Sequence, residues 1–187
     1  MRLAYSRYEE IKKIITDILV DYGINTLPID VFLLAKRMRI IVLKYSEFIV
    51  DERIKIISSS NDGMSLYSYS LKSYFILYND NMDINRIRFT IAHEIGHIVL
   101  GHEESNDETE SKADYFARHL LVPMSIIIFN EITDYMSITI MFEVSKAVAG
   151  NVISHVAKRI DSGHERLEDY EIELLKHFRQ FIKWLPC

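Results

Sequence analysis

RFTIAHEIGHIVLGH (Arg88–His102) contains the pentapeptide His93-Glu94-Ile95-Gly96-His97, and the rest of the chain is read outward from it. Residues four apart on a helix share a face about one turn apart, so His93 and His97 would present two ring nitrogens to one point. Zinc takes neutral imidazoles in that arrangement. Glu94 follows a ligand directly, so its carboxylate can reach water at such an ion without binding the ion, the position of a general base for hydrolysis. Two histidines on an ordinary surface helix would need no ion. Here Phe89, Ile91, Ala92, Ile95, Ile98, Val99 and Leu100 make the helix apolar on most sides. Buried imidazoles and a buried carboxylate need partners, and a metal ion satisfies both rings at once.

A tetrahedral site requires a third protein ligand. The segment HEESNDETESKAD supplies the acids Glu103, Glu104, Asp107, Glu108, Glu110 and Asp114. On the helix ETESKADYFARHLL the apolar stripe is Ala113, Phe116, Ala117, Leu120 and Leu121, and Glu110 extends it toward the core. Glu110 is therefore the expected ligand. His102 is a weaker rival, because five residues from His97 take it off that face unless the helix breaks at Gly101. A longer all-histidine pattern fails, since position 103 is glutamate. Asp114, one turn beyond Glu110, is placed to accept the free N–H of a metal-bound imidazole. Tyr115, His102 and His119 are candidate donors to the transition state, and spacing does not choose among them.

Upstream, Ile11, Ile14, Ile15, Ile18 and Leu19 mark one face of a helix over Tyr8–Tyr22 that Gly23 stops. A second helix is expected in PIDVFLLAKRM (Pro28–Met38), with Pro28 in its first turn. IIVLKY (Ile40–Tyr45), IKIISSS (Ile54–Ser60) and SYFILYN (Ser73–Asn79) read as strands, with a turn at Asp62-Gly63 between the last two. Beyond Pro123, residues 124–160 read as short helices and Glu165–Leu185 as a final helix carrying Phe178, Phe181 and Trp184. The expected class is α+β: a small antiparallel sheet of three or four strands packed with the site helices, then a helical segment with helix-turn-helix character. Residues 1–123 would form the core domain, 124–160 a helical subdomain and 161–187 a C-terminal helix.

RFTIAHEIGHIVLGH, followed by E-x-x-A-x-x-F-A-x-x-L-L-x-P (Glu110–Pro123), resembles the ImmA/IrrE family of zinc metallopeptidases. The entry segment LPIDVFLLAKRM (Leu27–Met38) is similar as well, and the likeness runs from about Tyr8 to Ile160. The resemblance implies one zinc ion on His93, His97 and Glu110, with Glu94 as catalytic base. It also implies the substrate, a helix-turn-helix repressor of mobile elements or stress regulons that is cut to release transcription. The segment Ser137–Ile160 looks like the family's small helical segment, with Ser145 capping a helix that carries Ala147, Val148 and Val152. The alternatives are a zinc-containing binding module that sequesters the repressor without cutting it, and a DNA-binding regulator. An extended peptide substrate would lie along a sheet edge, for which SYFILYN is the candidate.

The 187 residues hold 22 Lys plus Arg against 27 Asp plus Glu, a net charge of −5 that argues against nucleic acid as a direct partner. An apolar share of 49% and a charged share of 26% exclude a disordered chain. No run approaches the roughly 18 apolar residues of a membrane span, and Glu9, Glu10, Lys12 and Lys13 interrupt any secretory leader. One cysteine, Cys187, allows no internal disulfide. A cytoplasmic setting is expected. Manganese or iron could occupy the same ligands in vitro.

Overall fold

The computed structural model describes residues 2–163 and 166–181, with side chains from residue 8 onward; Trp184 and Cys187 lie outside the described residues. In chain order come α1 (Arg2–Asp21), α2 (Val31–Arg37), β1 (Ile41–Lys44), α3 (Val50–Ser59), β2 (Gly63–Ser68), β3 (Ser73–Tyr78) and α4 (Ile84–Val99). Then follow α5 (Asp107–Leu121), α6 (Met124–Phe129), α7 (Tyr135–Phe142), α8 (Lys146–Asp161) and α9 (Asp169–His177). The class is α+β, mostly helical with one small sheet. Two compact units result: Val31–Ala117, and the chain up to Asp30 together with the chain from Arg118 onward.

In the unit Val31–Ala117 the sheet order is β1-β3-β2. β2 runs antiparallel to β3, with Ser65 opposite Ile76 and Tyr67 opposite Tyr74, whereas β1 runs parallel to β3. The sheet is therefore mixed rather than antiparallel. β3 is its centre, which corrects the expectation that SYFILYN forms an edge. The reason is burial: Ile76, Leu77 and Tyr78 are all enclosed, and a strand covered on both sides reads as a continuous apolar run. The edge beside α4 is β2. Helix α4 lies against β2 and β3, and α2 against α4 and β1. Val31, Leu34, Ile76, Ile91 and Ile95 are fully buried there, each contributing about 1.5–3 kcal/mol.

Ile54–Ser60 is a second correction. It belongs to α3, not to a strand. Asp51 and Glu52 complement the positive end of that helix. Ser58 and Ser59 donate to the carbonyls of Ile54 and Lys55 one turn back. Tyr45, fully buried, ties the segment down by donating its hydroxyl to the Ser60 carbonyl at 3.0 Å. The missing strand is β2, which lies in the stretch after the Asp62-Gly63 turn. Pro28 stands before α2 rather than in its first turn.

The other unit is helical. α1 packs on α9, α6 on α8 and α9, and α7 on α8. The stripe Ile11, Ile15, Ile18 and Leu19 is buried, and so are Phe142, Val152, Leu175 and Phe178. Helices α7 and α8 are joined by Glu143, in the left-handed region at φ 49°, Val144 and Ser145, whose hydroxyl caps α8 by accepting from the Val148 amide. The expected final helix is shorter in the described residues, with α9 ending at His177 and a single tight turn at Arg179–Phe181. Among the described residues no helix is long and apolar enough to cross a membrane.

Candidate metal centre

Helix α4 begins where its sequence says it should: the Asp83 carboxylate accepts from the Asn85 and Arg86 amides, each at 3.1 Å. From there the 3.6-residue period buries Ile87, Ile91 and Ile95 and leaves His93 and His97 on a neighbouring face, their Nε2 atoms 2.9 Å apart. The residue between the histidines has a packing role. A Cβ on Gly96 would stand only 3.0–3.2 Å from the ring of Phe116, so the absence of a side chain lets α5 lie close. Asn106 starts α5 by accepting from the Glu108 and Thr109 amides at 3.0 and 3.1 Å. One turn later Glu110 meets the histidines.

Glu110 Oε2 is 3.1 Å from His93 Nε2, and Oε1 is 3.5 Å from His97 Nε2. The two rings stand 2.9 Å apart, and one ligand atom from each of the three residues lies within 4.8 Å of the others, close enough to converge on one ion whose ligand atoms at about 2.0–2.1 Å would stand about 3.3 Å apart. Two imidazoles and a carboxylate are donors that zinc accepts. Among the described residues His93, His97 and Glu110 form the one group able to hold a metal ion. Glu103, Glu104, Asp107 and Glu108 are not part of it.

Each member is held from behind. Asp114 Oδ1 is 3.0 Å from His93 Nδ1, the contact by which a carboxylate orients an imidazole whose other nitrogen faces a metal. Ser105 donates its hydroxyl to Glu110 Oε1 at 2.7 Å. The support for His97 comes from the end of α4. Gly101 adopts φ +65°, its amide reaches the Ile98 carbonyl, and the His102 amide reaches the His97 carbonyl at 3.0 Å. This pair of bonds, closed by a left-handed glycine, turns the chain back on the last turn of the helix. The His102 ring thereby returns to His97, Nδ1 to Nδ1 at 3.0 Å. The break at Gly101 that would bring His102 near the site is present.

Glu94 is only 8% exposed, and its Oε2 accepts the Ser65 hydroxyl of β2 at 2.7 Å. Burial pushes its carboxyl above the ordinary range, against the pull of that hydrogen bond and of His93. Burial lowers His97, helped by the nearby His93 charge, which favours the neutral ring a metal needs. For Glu110 burial works upward, but the Ser105 bond and the two histidines prevail and keep it below the usual carboxylate value. Burial likewise opposes a charge on His93, yet the Asp114 bond and the surrounding carboxylates leave it raised.

These groups open into a cleft of about 630 Å³ bounded by β2, α4 and the loop before α5. Tyr115 and His119 do not line it. On α5 Tyr115 stands about 100° round the helix from Asp114, because each residue turns that far. His119 is buried in the helical unit, its Nε2 against Met124 Sδ at 3.3 Å and its ring stacked on His155. His102 alone of the three candidate donors lines the cleft. Sequence reading missed Ser65 and Ser105. Ser65 had no signal, since it depends on the register of a strand that was not foreseen. Ser105 had one, because Ser-Asn before an acidic run marks a helix start.

No curated protein matches the chain. The model of the IrrE N-terminal-like domain, Peptidase_M78, matches residues 50–154, more than half of the 187-residue chain and all of the cluster just described. The chain belongs to this peptidase family.

Proposed function

We propose that the chain is a zinc-dependent endopeptidase that hydrolyses a peptide bond in a partner protein in the cytoplasm. The observation that carries this reading is the conjunction of three ligand-type groups, His93, His97 and Glu110, with a fourth carboxylate, Glu94, that is adjacent but separately anchored by Ser65. A structural site closes its coordination with four protein ligands, whereas three with an open cleft suit catalysis. Bound zinc supplies Lewis acidity and lowers the pKa of water at its open position toward neutral.

Glu94 then takes the proton of the attacking water and passes it to the departing amine. Its burial raises its basicity, and the Ser65 hydroxyl fixes which oxygen faces the cleft. The substrate backbone pairs with β2, the sheet edge next to the cleft, so that main-chain bonds hold an extended segment and side-chain pockets select it. The resemblance to ImmA/IrrE peptidases supports a helix-turn-helix repressor of a mobile element or stress regulon as that substrate.

The experiment is to mix the zinc-loaded chain with a helix-turn-helix repressor, taken from an adjacent gene where there is one, and resolve the products on a gel. Discrete fragments that vanish with Glu94→Gln are expected. An intact, stable complex would instead mean sequestration, and duplex DNA binding that weakens steeply with salt would mean a regulator.

A further inference from the structure

A second cleft, about 710 Å³, continues from the metal centre along β2 and shares Ser65, His97, His102 and Glu103 with the first. Three tyrosines line it beside Leu66 and Ile98. Tyr67 of β2 faces Tyr74 of β3 with ring centroids 4.8 Å apart, and Tyr69, just past the strand, meets Tyr67 edge-on at 5.2 Å. All three rings are exposed, at 40%, 41% and 87%, although they form one cluster. Glu103 stands among the residues lining this cleft, and among the described residues nothing pairs with it. Among the described residues no lysine or arginine lines either cleft, whereas Glu103 and Glu104 line the first besides the acids of the metal centre and Asp62, which Arg86 pairs.

We propose that the tyrosine-walled cleft is the pocket for a cationic side chain of the substrate, arginine above lysine. This rests on the reading that a peptide lies along β2 into the metal centre. An apolar occupant would strip water from Glu103 and the three phenol groups while giving them no partner. A cation answers both features: its charge meets the carboxylate, and the electron-rich ring faces attract it. A planar guanidinium can also stack flat on a tyrosine, which an ammonium cannot.

The test uses the full-length zinc-loaded Glu94→Gln protein, which binds without cutting, and a series of twelve-residue peptides that differ at one central position. Affinity is measured with arginine, lysine, leucine or glutamate there. Arginine should bind about tenfold tighter than leucine, the combined worth of a cation–aromatic contact and a partly exposed ion pair. Glu103→Lys should abolish that preference, and Tyr67→Leu should reduce it, with zinc content and circular dichroism unchanged in both. Equal or better binding of leucine or glutamate, an arginine preference that survives Glu103→Lys, or no binding by any peptide would each overturn the proposal. Cleavage of the same peptides by the unsubstituted chain is scored separately. Cutting without an arginine preference removes the pocket and leaves the peptidase, whereas an arginine preference in binding without any cutting removes the peptidase and leaves the pocket.

Discussion

Phe116 lies so close over Gly96 that a single added methyl group would press on its ring at 3.0–3.2 Å. Phe116 is fully buried. The contact couples the spacing of the two helices to the distance between Glu110 and the histidines.

Gly96→Val is expected to lower stability by about 1–2 kcal/mol, because overpacking costs about 1–3 kcal/mol and replacing a helical glycine returns less than about 1 kcal/mol. Zinc affinity should fall with it as α5 is pushed outward. Urea unfolding together with a chelator competition measures both; a variant with unchanged zinc affinity would show that the spacing does not matter.

Asp114→Asn keeps the shape but no longer offers His93 Nδ1 a carboxylate acceptor. Zinc binding should weaken about 10–100-fold. Competition against a chromogenic chelator reads the change directly, and affinity within twofold of the parent would remove Asp114 from the site.

Ser65→Ala should separate catalysis from metal binding. The Ser65 hydroxyl bonds Glu94, which is not one of the three groups His93, His97 and Glu110 that could hold the ion. Zinc content should stay at one per chain while cleavage slows about tenfold, the worth of roughly one hydrogen bond to a charged group. Loss of zinc together with activity would mean that β2 shapes the metal site itself.

In the helical unit Arg159 grips Glu171 through both nitrogens, with the Nη2–Oε2 contact at 2.8 Å and Glu171 only 2% exposed. Glu171→Ala removes the carboxylate from a guanidinium that is 13% exposed and still donates to the Arg166 carbonyl, and should cost about 3 kcal/mol of stability. Glu171→Gln, which keeps a hydrogen-bond acceptor, should cost less. Thermal unfolding of the two variants ranks them, and equal losses would show that the charge is not what counts.

Periodicity made the site helices legible. The apolar stripe of α4 and the inward extension of the α5 stripe to Glu110 rest on a 3.6-residue repeat that helix packing enforces. The sheet was harder. Ile54, Ile56 and Ile57 favour strands as isolated residues, but that preference amounts to about 1 kcal/mol or less and yields to a well-charged helix start and serine back-bonding. β2 escaped notice because Gly63, Ser65 and Ser68 have little strand propensity, and because an edge strand that is half exposed shows no clean alternation. The parallel pairing of β1 with β3 depends on the intervening α3 and β2 returning the chain in the same direction, which no local pattern encodes. His102 reached the cleft through backbone bonds around Gly101 rather than through helix spacing.

Metal analysis of the purified chain beside its Glu110→Ala variant, with dissociation constants from chelator competition, bears on the metal centre without any assumption about substrate. One zinc per chain is expected for the unsubstituted protein, and at least a tenfold loss of affinity for the variant, since a ligand is worth no less than a residue that merely supports one. Full zinc occupancy at unchanged affinity in Glu110→Ala would contradict the assignment of Glu110 beside His93 and His97.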